Sequence, residues 1–141
     1  IALVIGWTLT LSVSTYCLFG SAAMGFHQQR LSMTFSAGAA MSVITQLFLF
    51  NFVARRLGNS LACSVGLLGT ASGLIGLALI RVQPLHTVFY LLNRLSSGIT
   101  DTATATLVSA ASDGSEARAR NLALIQSARA GARIMTFSAG A

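Results

Sequence analysis

Five long apolar runs, separated by short polar breaks, limit what this chain can fold into. A helix crossing the hydrocarbon core of a bilayer needs about 20 mainly apolar residues. Runs of that kind lie at about 2–23, 33–54, 60–80 and 85–111, and from about 117 to the end. The breaks between them read GFHQQRLS, RRLGNS, RVQP and SDGSEARARN. Strands of a membrane barrel are about 10 residues long and alternate in and out. These runs are about twice that length and do not alternate. Backbone polar groups in lipid find no outside partner, which leaves helices. The expectation is an all-α, polytopic membrane helix bundle: one transmembrane domain over 1–141, with helices at about 2–23, 33–54, 60–80, 85–111 and 117–141.

Composition argues the same way. Charged residues make up 9% of the chain, hydrophobic ones 54%, and the mean hydropathy is +0.73. A soluble domain carries about 25% charge, and twelve charged side chains cannot give this much apolar surface a soluble cover. The expected location is therefore an integral, multi-pass membrane protein, with the bilayer as its first partner. The nine basic residues are all Arg, and the net charge is +6. No basic run interleaves with aromatics, so nucleic acid is not an expected partner; Arg here flanks membrane helices. The second and fourth breaks hold Arg55, Arg56, Arg118 and Arg120, the first and third only Arg30 and Arg81. By the positive-inside rule RRLGNS and SDGSEARARN face the cytoplasm or its equivalent. The chain begins at Ile1 and stops within an apolar stretch, and no signal peptide is readable, so it reads as part of a longer protein.

No enzyme constellation is present. Three carboxylates stand in the whole chain, with no Gly-x-Ser-x-Gly, Walker loop or His-Glu-x-x-His. No catalytic residue and no cofactor are expected. His27 and His86 sit in or beside the presumed outer loops with no second ligand nearby, so no metal is expected either. Cys17 and Cys63 lie inside apolar segments and read as packing residues. Gly66, Gly69, Gly73 and Gly76 fall on one helix face, a small-residue stripe for close helix approach or a moving interface.

Several stretches carry a resemblance. FNFVARRLGNSLACSVGLL joins an aliphatic helix end, a basic pair and Leu-Gly to another helix. It resembles the short cytoplasmic loop between the second and third helices of each six-helix half in major facilitator superfamily transporters. The fuller form has an acidic residue before the Arg and more basic residues after the Gly, where Ala54 and Asn59 stand here. Gln46 in VITQLFLFNFVARRLG resembles the Gln-containing second helix of the family's C-terminal half. LLNRLSSGITDTATATLVSAAS is similar to the fourth helix of a half, and SDGSEARARNLALIQSARAGARI to the next loop and helix. The resemblance implies about five helices of one half, the C-terminal half for preference. Arg94 and the DGSEARAR loop are also compatible with the N-terminal half of tetracycline-efflux-like members.

The function it implies is secondary active transport of a small solute by alternating access. The missing half, or a partner membrane chain, would supply the rest of the site. The alternative is a non-transporting structural or accessory subunit of a membrane complex. Arg94 and Asp101, seven residues apart on nearly one helix face and about 10 Å apart along the axis, are the candidates for a substrate or proton pathway. Asp101 would take a proton or meet a cationic substrate, and Arg94 would hold an anion. Arg55, Arg56 and Gly58 form the cytoplasmic-loop signature, as topological anchors or as part of a gate. Arg129 and Arg133 share a face of the last helix. Gln46, Asn51 and Asn93 are polar at membrane depth and read as interhelical hydrogen-bonding groups. Asp113 and Glu116 have capping-box spacing.

The heptapeptide MTFSAGA occurs at 33–39 and again at 135–141. In the family scheme the second and fifth helices are related by inversion, but the two copies sit at different depths in their helices. A recent local duplication, or a stitched sequence, accounts for them better than an ancient repeat. The segment reads as helix-packing material without chemistry.

Overall fold

The structure, a computed structural model, describes residues 2–139, without the side chains of 2–5, 7–9, 11, 12, 133 and 135–139. Arg133 as a side chain and the second MTFSAGA copy therefore lie outside the described residues. The described residues are helical and include no strand. Five helices follow in order: α1 (Ala2–Ala22), α2 (Gln28–Leu57), α3 (Asn59–Leu79), α4 (Gln83–Ala110) and α5 (Gly114–Ala139).

The breaks are shorter than the sequence implies. Helix α2 begins at Gln28, five residues before its apolar run, because Gln and Arg are good helix formers. Gly25, at φ +62°, ends the turn after α1, and extended His27 precedes α2. At the other end of α2, Gly58 alone joins α2 to α3. Its backbone, φ +81° and ψ 161°, lies in a region that glycine occupies and other residues avoid.

Helix α2 is not regular throughout. Thr45–Leu49 forms a π turn, in which Phe50 N–H donates to the Thr45 carbonyl five residues back. The buried positions follow: Leu31, Thr34, Gly38 and Thr45 keep helical spacing, and the next is Phe50, not residue 49. One extra residue in the turn keeps both parts of α2 facing the same neighbours.

The chain divides into two compact units, 19–104 and 1–18 with 105–141. In the first unit α4 has two occupied faces. On one, a Cβ added at Gly66 would strike Thr100, at Gly69 Ser96, at Gly73 Asn93 and at Gly76 Phe89. Numbers fall on α4 as they rise on α3, so these helices are antiparallel, and the glycine stripe is a packing face as expected. On the other face Gly38 meets Tyr90 and Arg94, while Gly98 meets Thr45. Here both numbers rise, so α2 and α4 are parallel. Phe50, Ala62, Ile99 and Ala103 close the core beside the Gly58 joint.

At the opposite end of this unit Gln83 Nε2 donates to the Met24 carbonyl at 2.7 Å. Arg30 Nη1 donates to Gln83 Oε1 at 2.9 Å while its guanidinium lies 4.9 Å from the Phe26 ring centroid. His86, expected in or beside an outer loop, lies next to the 80–82 break in the first turn of α4, and is buried there. It stacks on Phe19 at 5.5 Å, and its Nε2–H donates to the Leu77 carbonyl at 3.1 Å.

In the second unit α1 and α5 approach at Gly6, where a Cβ would sit 3.1 Å from Arg129 Cα and 3.4 Å from Ala132 Cβ. Ser112 Oγ donates to the Val108 carbonyl at 2.7 Å and accepts from Asn121 Nδ2 at 2.9 Å, tying the α4–α5 turn to α5.

Two helices, α2 and α3, are long and apolar enough to cross a membrane. Only 17% and 22% of their most apolar windows are buried, whereas the core helix of a soluble protein is mostly buried. Phe48, Leu68 and Leu79 are 70%, 69% and 76% exposed. Helices α4 and α5 have the length but carry Asn93, Arg94 and Asp101, or several Arg, along it.

Candidate functional site

The middle of α4 gathers the polar groups. Asn93, Ser96, Ser97 and Thr100 are all buried there. Most of them serve the backbone. Thr100 Oγ1 donates to the Ser96 carbonyl at 3.1 Å, and Ser97 Oγ to the Arg94 carbonyl at 2.9 Å. Asn93 crosses to α3, its Nδ2 donating to the Thr70 carbonyl at 3.3 Å. Its Oδ1 is buried without a hydrogen bond among the described residues.

Arg94 faces α2. Its Cγ would lie 3.1 Å from a Cβ on Gly38, and the Tyr90 ring would lie 2.8 Å from the same point. The side chain therefore runs over bare backbone that only glycine leaves open. Phe35 meets Tyr90 edge-on at 5.7 Å. Ser42 Oγ lies 3.0 Å from the Gly38 carbonyl and 3.3 Å from the Arg94 carbonyl, sharing one proton between them. The Arg94 Nε is buried and has no hydrogen-bond partner among the described residues. A buried donor without an acceptor costs about 1–3 kcal/mol, more when charged.

One turn further along α4, Thr45 of the π turn packs on Gly98. A Cβ there would sit 3.2 Å from Thr45 Cβ. Thr45 is 1% exposed, and its hydroxyl has no partner among the described residues. Single π turns are frequent at functional sites. This one sets a buried hydroxyl beside the helix that carries the candidate Arg.

The expected site residues are distributed as follows. Arg94 and Asp101 are both half-buried on α4, and Asp101 is engaged by another group. Arg55, Arg56 and Gly58 are exposed at the α2–α3 joint. Arg55 and Arg56 occupy the last turn of α2, where the helix dipole favours cations, and Arg56 lies 5.5 Å from the Phe52 ring centroid. Arg129 packs against Gly6. Of the three amides expected to bridge helices, Asn93 does so, Asn51 donates to Leu47 of its own helix, and Gln46 is exposed. Cys17 and Cys63 are free thiols. Among the described residues no three His, Cys, Asp or Glu side chains gather as a metal site.

Sequence reasoning does not single out Gly38, Ser42 or Thr45. The first copy of MTFSAGA reads as packing without chemistry, yet it supplies Gly38, the surface on which Arg94 rests, and Phe35, the neighbour of Tyr90. The available signal is the pair of small residues spaced by four, Gly38 and Ser42, opposite Arg94 and Gly98 with the same spacing.

No protein-family model, characterised protein or solved structure matches the chain.

Proposed function

We propose that the chain is a polytopic membrane helix bundle, about five helices of a major-facilitator-like half, and that it serves secondary transport of a small solute. Span-length α2 and α3 with uncovered apolar faces support the membrane setting. The alternating directions of α2, α3 and α4 are those of successive membrane crossings. The observation that carries the transport reading is Arg94: a guanidinium group midway along α4, its stem against apolar α2, whose buried Nε has no acceptor among the described residues. Charges at membrane depth mark solute or ion pathways. The remainder of the site comes from the other half or a partner membrane chain.

The test has two parts. In a Cys17→Ser, Cys63→Ser background, single cysteines at His27, Asn59, Arg81 and Ser115 are labelled with an impermeant maleimide in intact cells. Multi-pass insertion labels positions 27 and 81 from outside and protects 59 and 115. Labelling of all four from one side would defeat it. Uptake into proteoliposomes containing the chain together with the missing half or its partner membrane chain then separates a transporter from an accessory subunit, which would insert but move no solute.

A further inference from the structure

Resting on the transporter reading above, we propose that Arg94 is the anchor for an anionic solute, a small carboxylate or phosphate. The described residues offer its guanidinium no counter-ion. Asp101 is one of only three carboxylates in the whole sequence and is engaged by another group; Asp113 and Glu116 are exposed beside the α4–α5 turn. The nearby serine protons go to backbone carbonyls. The Arg94 carbonyl receives Ser97 and shares Ser42, and the Gly38 carbonyl shares Ser42 as well.

The side chain is also held in place. Its stem runs over Gly38, next to Tyr90, which is 2% exposed. The Nε is closed off, whereas the residue as a whole is only half-buried, and the open part is assigned to the Nη edge of the head. A planar guanidinium fixed by its stem, with its outer nitrogens approachable, matches a carboxylate or phosphate through two parallel hydrogen bonds. A free solute fits better than a lipid headgroup. Arg94 lies eleven residues into α4, about 16 Å from its start at 1.5 Å per residue. That is about half the thickness of the hydrocarbon core, deep below the headgroups.

The experiment is a titration of the full chain, purified in phospholipid-free detergent, with sodium acetate, inorganic phosphate and choline chloride. The readout is the 15N resonance set of the Arg94 guanidinium, assigned by its loss in Arg94→Lys. Acetate or phosphate is expected to move these resonances saturably, with choline inert. Affinity, followed by the accompanying rise in melting temperature, falls about tenfold or more in Arg94→Lys and Arg94→Gln, the loss expected for a charge-assisted bidentate pair. Arg120→Gln, on the exposed start of α5, leaves it unchanged. Should Arg94→Gln not fold, the titration of the unsubstituted protein decides alone.

Resonances unmoved by both anions in a normally melting protein would overturn the proposal. So would a shift that needs added phosphatidylglycerol, since the ligand would then be a lipid. A third contrary result is an Arg94 already paired to a carboxylate of a co-purifying membrane chain. Uptake assays keep the two readings apart. Anion binding without uptake of any solute, in vesicles that also hold the missing half or partner chain, leaves the anchor standing and removes transport. Uptake of a neutral or cationic solute, unchanged in Arg94→Gln, leaves transport and removes the anchor.

Discussion

Gly73 of α3 lies directly on Asn93 of α4. A Cβ at position 73 would sit 2.9 Å from Asn93 Cβ, 3.0 Å from its Cα and 3.1 Å from its backbone nitrogen. Two of those three atoms are main chain, so the neighbour cannot step aside by changing a rotamer.

Gly73→Ala is therefore expected to destabilise the protein by about 1–3 kcal/mol, the usual cost of overpacking. Gly131→Ala is the control. Among the described residues nothing lies within 4 Å of its would-be Cβ, and Ala is favoured over Gly in a helix by about 1 kcal/mol. Equilibrium unfolding in mixed micelles should move the two variants in opposite directions.

Gly58→Ala should cost about 1–3 kcal/mol through backbone strain alone, because no side chain among the described residues crowds the position. Thermal melts followed by circular dichroism would register the loss. A neighbouring Asn59→Ala change, beyond the positive-φ residue, should have a much smaller effect.

Thr45→Val removes a buried hydroxyl that has no partner among the described residues while keeping the branched shape packed on Gly98. It should stabilise the protein by about 1 kcal/mol. Thr45→Ala should lower stability, since it deletes methyl contacts against α4 as well. Comparing the midpoints of chemical unfolding tests both signs, and a Val variant weaker than the native protein would mean the hydroxyl has a ligand.

Gln83→Ala takes the donor from the Met24 carbonyl and the acceptor from Arg30 at once. A loss of about 1 kcal/mol is expected. Arg30→Ala should cost less, because its bond to Gln83 is solvent-exposed. Melting the two single variants and the double variant would reveal their coupling as a shortfall from additivity.

The existence of the helices is legible in the sequence because hydrophobic length is a strong signal, and the glycine stripe on α3 is legible because its spacing is helical. The start of α2 is not, since polarity in GFHQQRLS masks good helix formers. The burial of His86 is not legible for a related reason: a polar residue at the edge of a break gives no sign of a partner, whereas here Phe19 and the Leu77 carbonyl give it a buried berth. Arg94 stands out as a charge in an apolar run, but its resting place does not. Gly38 and Ser42 acquire meaning only once α2 and α4 are known to run parallel, because their four-residue spacing matches that of Arg94 and Gly98 but does not by itself name the partner helix. The π turn is equally silent in sequence, because nothing in TQLFL distinguishes it from an ordinary helix.

That turn makes α2 a helix whose two ends are phased by length. Removing any one residue from Thr45–Leu49 would restore a regular helix and could even improve its hydrogen bonding. It would also rotate Phe50, Arg55 and Arg56 by about 100° relative to Gly38 and Ser42. The aromatic that seals the core would then swing away from Ala62 and Ile99 while the Arg94 rest stayed where it is. For this helix the count of residues between two contacts matters as much as their identity, and a lineage could substitute the exposed Gln46, Leu47 and Phe48 yet tolerate no insertion or deletion among them.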